Sequence, residues 1–422
     1  MSRFPESFMN RFHALLAVAA LSSVAMPAQA QEAPISFVAI GDTGYIPAYE
    51  TLDEDEEPFA TLGEYLGAHA EGWLDHHPDL SDFTPTPWTF ESTLGGFTSA
   101  SGMYPVARAA AEVCASQGCD FGAMLGDNIY PDGATLGADG ISDARRFSDM
   151  LDKPYGRFGA GTENFTIYTM MGNHDWHISR EATEAQLTYL QQHPNFTMPD
   201  LFYKAVPVGM EGEVEIFVVD TEMLLASTTV YKDELDAEGN EIQTGELESW
   251  DDYVKPASPA EKNMVSWLEQ SLAQSNARWK VVFGHHALWS SGGSKYEKAR
   301  SLRKLLLPAI CKYADAYISG DDHLMEAYSD DCSTVADAAD GPVPMFVAGA
   351  GSKYRQQDVA FAAQQKANNP QMTNLFSKGS TWGFLHVTLQ DDLLNAAIYS
   401  TPGDMSGRPI KEFEQSFANR SK

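Results

Sequence analysis

Six short apolar runs are each followed directly by a glycine or an aspartate, and this repetition restricts the fold more than any other feature. The runs span residues 35–40, 121–125, 167–171, 214–219, 281–283 and 316–319. Segments with helical spacing lie between several of them. Buried strands that end in polar loops and alternate with helices are typical of an α/β domain with its chemistry at the strand ends.

Other segments predict helices and a group of late strands. Ser258–Glu261 matches a capping box with proline at the first helical position, so it predicts the start of a helix that continues through Leu272. A second helical pattern covers Tyr296–Ile310. Near the end of the chain, three runs read as strands: Pro344–Ala348, Phe384–Leu389 and Leu393–Tyr399.

Five motifs with metal-ligand residue types follow the predicted strands. In order they are Gly41–Gly44 (GDTG), Gly126–Tyr130 (GDNIY), Gly172–Asp175 (GNHD), Val282–His285 (VFGH) and Gly320–His323 (GDDH). Each motif alone is weak evidence, because Gly-Asp is common in turns. Together their Asp, Tyr, Asn and His side chains suit iron, manganese or zinc. A shared carboxylate would hold two ions about 3.5–4 Å apart, a spacing that clamps a phosphate.

The first thirty residues predict a signal peptide. Arg3 and Arg11 provide positive charge, residues 13–26 are apolar, and Ala28-Gln29-Ala30 is a small-residue cleavage site, so we expect residues 31–422 to form the mature domain. An ordinary buried helix is the alternative. No later segment reads as transmembrane, so no membrane anchor is expected.

Charge and cysteines restrict the partners and the compartment. The net charge of −31 repels nucleic acid and anionic membranes, although it can also be a solubility feature. A phosphate substrate would need local positive charge, which bound metals can supply. Four cysteines in an exported chain suggest two disulfides with three possible connectivities, and proximity favours Cys114–Cys119 with Cys311–Cys332. Zinc binding is weaker, since no C-x-x-C pair occurs.

The segment Tyr45–Ser101 has no clear periodicity and follows the first motif directly. It contains an acidic run, Asp53–Glu57, and a possible metal-binding stretch, Asp75–Asp79. Its position suggests an insertion that folds over the site as a lid or recognition loop. A surface excursion without a catalytic part remains an equal alternative.

The motif series resembles the calcineurin-like metallophosphoesterases, and Tyr130 narrows the resemblance to the purple acid phosphatases of the short tartrate-resistant type. The stretches Val265–Ser290 and Ala348–Gly351 are also similar to that group. The resemblance implies a four-layer α/β/β/α sandwich with two mixed β-sheets. It further implies hydrolysis of small phosphate monoesters by a metal-bound hydroxide in a secreted or periplasmic enzyme.

The resemblance also implies a ligand set. A ferric ion would be held by Asp42, Asp127, Tyr130 and His323. A divalent ion (Fe, Mn or Zn) would be held by Asp127, Asn173, His285 and Asp321. His174 would protonate the leaving group or orient the phosphate, and Asp175 would hold the His174 ring.

Two departures from the family pattern concern the identity of the second metal and the acid chemistry. Asp321 stands where the family has histidine, and Ser290–Lys295 lacks a second pocket histidine. Counting both ions, one hydroxide and the anionic ligands, the site is neutral with aspartate at 321 and +1 with histidine, which predicts a pH optimum nearer neutral. A phosphodiesterase of the same superfamily, or a metal- or phosphate-binding protein that has lost catalysis, remains an alternative.

Overall fold

A computed structural model gives the fold of residues 33–420, apart from residues 51–57, 75–78, 81–88, 92–95 and 251–253 and positions 157, 160, 239, 249 and 294. The predicted signal peptide and the acidic run Asp53–Glu57 therefore lie outside the described residues, as does most of Asp75–Asp79. Among the described residues, no helix has the length and apolar character needed to cross a bilayer.

Most strands belong to two seven-stranded sheets. In chain order, the strands are β1 (Ile35–Ile40), β2 (Thr89–Glu91), β3 (Phe97–Ser99), β4 (Phe121–Met124), β5 (Ile167–Thr169), β6 (Phe196–Thr197), β7 (Tyr203–Ala205), β8 (Val214–Val219), β9 (Tyr231–Leu235), β10 (Glu241–Leu247), β11 (Trp279–Gly284), β12 (Ala316–Ser319), β13 (Met325–Asp330), β14 (Val343–Ala348), β15 (Met372–Lys378), β16 (Trp382–Gln390), β17 (Leu393–Thr401) and β18 (Ile410–Ala418).

Both large sheets are mixed. The first has the order β18-β17-β16-β1-β4-β5-β6, in which β1, β4, β5 and β6 are parallel and β16 to β18 are antiparallel. The second has the order β15-β13-β14-β12-β11-β8-β7, with β8, β11, β12 and β14 parallel. The parallel strands are buried almost throughout, which explains their continuous apolar sequences.

Helices, single or in succession, separate many of the strands along the chain. They are α1 (Pro47–Glu50), α2 (Leu62–Leu74), α3 (Met103–Gln117), α4 (Asp143–Phe147), α5 (Lys153–Tyr155), α6 (Asn173–Trp176), α7 (Arg180–Gln192), α8 (Thr221–Ala226), α9 (Pro259–Lys262), α10 (Met264–Gln274), α11 (Tyr296–Tyr313) and α12 (Val359–Asn368), with a π-helical turn at Ser148–Asp152. The predicted sandwich of two mixed sheets with outer helices is confirmed.

The helix predicted from Ser258 is interrupted. Its capping box forms as expected, because Ser258 Oγ accepts from the Glu261 amide and Glu261 accepts from the Ser258 amide. However, α9 ends at Lys262, and α10 begins at Met264. The Asn263 side chain donates to the Pro259 carbonyl at 2.8 Å and so competes with the backbone for a helical hydrogen-bond acceptor.

Both disulfides have the favoured pairing. Cys114 is bonded to Cys119 and Cys311 to Cys332. Each bond joins a cysteine near the end of a helix to a nearby loop. The first joins the end of α3 to the loop that follows it, and the second joins the end of α11 to the residues after β13.

Candidate metal centre

The five motifs converge at the carboxyl ends of neighbouring parallel strands. β1, β4 and β5 bring the first three motifs together in one sheet, and β11 with β12 brings the last two together in the other. Backbone hydrogen bonds join these loops: Gly41 N donates to the Ala348 carbonyl across the two sheets at 2.7 Å, and Gly320 N donates to the His285 carbonyl at 2.8 Å. The topology therefore places the candidate ligands in one region.

The loops adopt unusual backbone conformations at this point. Asp42, Asp127 and Asp321 have φ values of 57°, 50° and 66°, in the left-handed region that non-glycine residues seldom adopt. A Cβ atom on Gly172 would lie 2.2 Å from Asp127 Oδ1, so only glycine fits there. Strain that recurs at three acidic residues in one cluster is typical of a functional site.

Four predicted ligands form a first group around the phenol oxygen of Tyr130. This oxygen lies 2.9 Å from Asp42 Oδ1, 2.9 Å from Asp127 Oδ2 and 3.1 Å from His323 Nε2. His323 Nε2 is also 3.3 Å from Asp42 Oδ1. A phenol has one hydrogen to donate, so it cannot satisfy two carboxylates and a ring nitrogen together. A cation at this point would satisfy all four atoms.

The other predicted ligands form a second group around His285. Its Nδ1 lies 2.8 Å from the Leu125 carbonyl, which fixes a hydrogen on Nδ1 and turns Nε2 toward the cluster. Nε2 lies 3.3 Å from Asp127 Oδ1 and 3.9 Å from Asp321 Oδ1. Asp42, Asp127 and His285 together have the spacing of a metal site.

Asn173 completes the second group through its side-chain amide. One amide atom faces His285 Nε2 at 3.3 Å and also lies 3.3 Å from Asp321 Oδ1. If the amide nitrogen occupies this position, it donates to Asp321; if the amide oxygen occupies it, it can bind a cation. By rotating its amide, Asn173 can therefore suit both the metal-free and the metal-bound site.

The electrostatics of the cluster call for added positive charge. Burial and the neighbouring Asp127 raise the pKa of Asp42 well above its usual value. Burial alone would lower the pKa of His285, but the carboxylates, led by Asp127, outweigh it and raise that pKa to about 10. A proton or a metal cation can supply the charge. Because the donors are carboxylate, phenol, amide and imidazole, the residues fit a metal of the kind that the sequence predicts.

His174 lies at the solvent side of the cluster. Its side chain is 27% exposed, and its Nε2 is 3.9 Å from Asp127 Oδ2. Its Nδ1 lies 2.5 Å from the Pro131 carbonyl, which accepts the Nδ1 hydrogen and leaves Nε2 toward the site. Burial lowers the pKa of His174 to about 4. The ring therefore presents Nε2 at the open side of the cluster.

The predicted role of Asp175 is wrong. The Pro131 carbonyl, rather than Asp175, holds the His174 ring. The Asp175 carboxylate is buried and accepts from the backbone amide of Gly172 at 2.9 Å, from Asn128 Nδ2 at 3.0 Å and from Gln186 Nε2 at 2.8 Å. With the Asn128 backbone amide, four donors converge on this carboxylate, so it ties the loop that carries Asn173 to Asn128 and to α7.

Sequence reasoning missed Lys295, which lies next to Asp321. Lys295 Nζ donates to Asp321 Oδ1 at 2.8 Å. The segment Ser290–Lys295 drew attention only because it lacks a histidine. By resemblance, the segments 290–295 and 320–323 both belong to the second metal site. An extra aspartate in one segment and a lysine in the other are the signal for an ion pair.

The described part of the Tyr45–Ser101 insertion forms one wall of a cleft of about 470 Å³. Phe59, Ala68, His69 and Gly72 line one side, and residues 354–356 with Gly292 line the other. Arg355 Nη1 also donates to Asp322 Oδ1 at 2.8 Å, beside the candidate ligands. The role of this insertion as a lid stays a prediction.

The chain is similar to known phosphoesterases. The profile of a family described as calcineurin-like phosphoesterase matches residues 35–325. Purple acid phosphatase 17 of Arabidopsis thaliana is 27% identical over 287 residues, which cover 68% of this chain and 72% of that protein. Purple acid phosphatase 4 of the same plant is 25% identical over 304 residues, which cover 70% and 74%.

Two solved structures share the fold at low sequence identity. One is GAP50, described as the anchor in the inner membrane complex of Plasmodium, with a TM-score of 0.53, 17% identity and coverage of 93% of this chain and 90% of that chain. The other is the purple acid phosphatase PPD1 from yellow lupin seeds, with a TM-score of 0.51, 12% identity and coverage of 92% and 54%.

Proposed function

The chain belongs to the calcineurin-like phosphoesterase family, and we propose that it is a phosphatase that hydrolyses small phosphate monoesters at a centre of two metal ions. The first ion would be held by Asp42, Asp127, Tyr130 and His323. The second would be held by Asp127, Asn173, His285 and Asp321. The similarity to plant purple acid phosphatases supports the same assignment.

The orientation of Asp127 is the observation that carries this proposal. Its Oδ2 faces the Tyr130 group at 2.9 Å, and its Oδ1 faces His285 at 3.3 Å. A carboxylate with one oxygen turned to each of two donor groups has the geometry of a bridging ligand. The His174 amide also donates to Asp127 Oδ1 at 2.9 Å and helps to fix this orientation.

Two cations bound here would neutralise the charge of a phosphate ester and lower the pKa of a water molecule. The protein supplies position and proton transfer. His174 presents Nε2 toward the open side of the cluster because Pro131 engages Nδ1. Because burial lowers the pKa of His174 to about 4, Nε2 also carries a proton in acid, and we propose that this proton passes to the leaving group of the ester.

Tyr130 supports iron as the first metal, because a phenolate is a hard anionic donor suited to Fe(III). We expect native protein to absorb visible light and Tyr130→Phe to lose that band while it stays folded. Absorption spectroscopy with parallel circular dichroism checks this prediction. A colourless wild-type protein with full activity and only manganese or zinc would contradict the role of Tyr130.

Phosphate release from paired substrates tests the reaction. We expect turnover of p-nitrophenyl phosphate to exceed that of bis(p-nitrophenyl) phosphate, because a monoester presents more unesterified oxygens to two cations. Faster cleavage of the diester would favour a phosphodiesterase. Full metal occupancy without turnover of either compound would favour a binding protein that has lost catalysis.

We propose that the protein is exported from the cytoplasm, either to the periplasm or to the medium. Two disulfides support it, because such bonds persist in oxidising environments.

A further inference from the structure

Lys295 and Asp321 form an ion pair next to the proposed second metal. The lysine Nζ lies 2.8 Å from Asp321 Oδ1; its side chain is 19% exposed, whereas that of Asp321 is 1% exposed. Lys295 directly precedes α11, which fixes its backbone at the edge of the site. The pair thus joins a buried carboxylate to an ammonium group that lies on its solvent side.

Asp321 is also fixed from the opposite side. Its backbone amide donates to Asp42 Oδ2 at 3.0 Å. Its Oδ2 is buried and has no hydrogen-bond partner among the described residues. A buried carboxylate without a positive partner is costly, so Lys295 stabilises this side chain before any metal binds.

The ion pair changes the charge of the site. The sequence predicts a neutral metal-ligand set with Asp321, against +1 for the family's histidine. Lys295 offsets the negative charge of Asp321 at hydrogen-bonding distance and returns the sum to +1. With Lys295 included, the charge count no longer favours a pH optimum nearer neutral.

We propose that Lys295 is a positioning residue that offsets the negative charge gained where Asp321 stands in place of the family's histidine. It holds Asp321 Oδ1 in place and supplies the positive charge that helps to attract the substrate phosphate. This inference rests on the proposed function and identifies a residue that sets the affinity of the site for phosphate.

The role has two opposing consequences for Lys295→Met. Loss of the lysine removes repulsion between Nζ and a divalent ion and leaves Asp321 a stronger donor, so metal binding should tighten. Loss of the same charge should weaken phosphate binding by roughly ten-fold, a size expected for one charge near a partly exposed anion. Damage to the scaffold would weaken both.

Direct binding measurements separate these cases without relying on turnover. Chelator-treated wild type, Lys295→Met and Lys295→Arg are titrated calorimetrically with Mn²⁺, and the loaded proteins are then titrated with inorganic phosphate. We expect tighter Mn²⁺ binding and weaker phosphate binding for Lys295→Met, with near wild-type phosphate binding for Lys295→Arg. Without metal, Lys295→Met should also melt at a lower temperature.

Lys304→Met is the matched control. Lys304 lies on α11 and pairs with Asp233 and the Tyr231 carbonyl, so its loss should leave both titrations unchanged. Equal Mn²⁺ and phosphate affinities in wild type and Lys295→Met would overturn the proposal, as would a parallel loss of both. Wild-type protein that binds neither Mn²⁺ nor phosphate would contradict the proposed function itself.

Discussion

Asp127→Asn should abolish phosphatase activity, with a loss of at least about 10³-fold, because one change removes a charged ligand from both ions. The two oxygens of Asp127 face different donor groups, Tyr130 at 2.9 Å and His285 at 3.3 Å. An amide carries no charge and offers only one oxygen. Steady-state turnover of p-nitrophenyl phosphate and metal content measured on the same sample check this prediction.

Asp315→Asn is the control for a buried aspartate. Asp315 accepts from the backbone amides of Lys280 and Arg420 at 2.8 and 2.9 Å and has no candidate ligand among these partners. Its substitution should leave activity and metal content close to those of wild type. An Asp127→Asn protein that retains both would contradict the shared-ligand assignment.

His174→Ala should reduce turnover by roughly 10²–10⁴-fold on a substrate with a poor leaving group, because a general acid contributes this much. The loss on p-nitrophenyl phosphate should be smaller, since p-nitrophenolate leaves readily without a proton. Inhibition by inorganic phosphate should change little. The measurement is kcat for an alkyl phosphate and for p-nitrophenyl phosphate with each protein.

His177→Ala is the matched histidine control. The ring centroids of His174 and His177 are 4.3 Å apart, but His177 Nδ1 lies 3.2 Å from Asp132 Oδ1 on the exposed side. We expect its loss to affect both substrates equally and weakly. An equal loss on both substrates in His174→Ala would instead indicate that His174 positions the phosphate without donating a proton.

Local patterns predicted the strands that carry the site. The runs before Gly41, Gly126, Gly172, Gly284 and Gly320 are strands β1, β4, β5, β11 and β12, because a buried parallel strand needs an apolar sequence throughout. The turn residues after these strands could also be predicted from local sequence. That the five motifs meet at one site was predicted from the family resemblance, since pairing between distant strands leaves no local signal.

Contacts between distant segments explain what the sequence could not predict. Asp175 lies beside His174 in sequence, but its carboxylate turns to Asn128 and Gln186, which lie 47 and 11 residues away. Lys295 and Asp321 are 26 residues apart and come together because α11 connects β11 to β12, which pair in one sheet. The strands β15 and β18 include polar, half-exposed positions, and the buried strand β13 contains Glu326 and Asp330, so the patterns of all three were weak.

Elemental analysis of the native protein tests the central claim most directly. The account predicts about two metal ions per chain, one of them iron, because Asp127 joins two complete donor groups. Loss of both ions together in Asp127→Asn would support the shared ligand. A native, folded protein that holds one ion or none after incubation with iron and manganese would contradict the two-metal centre.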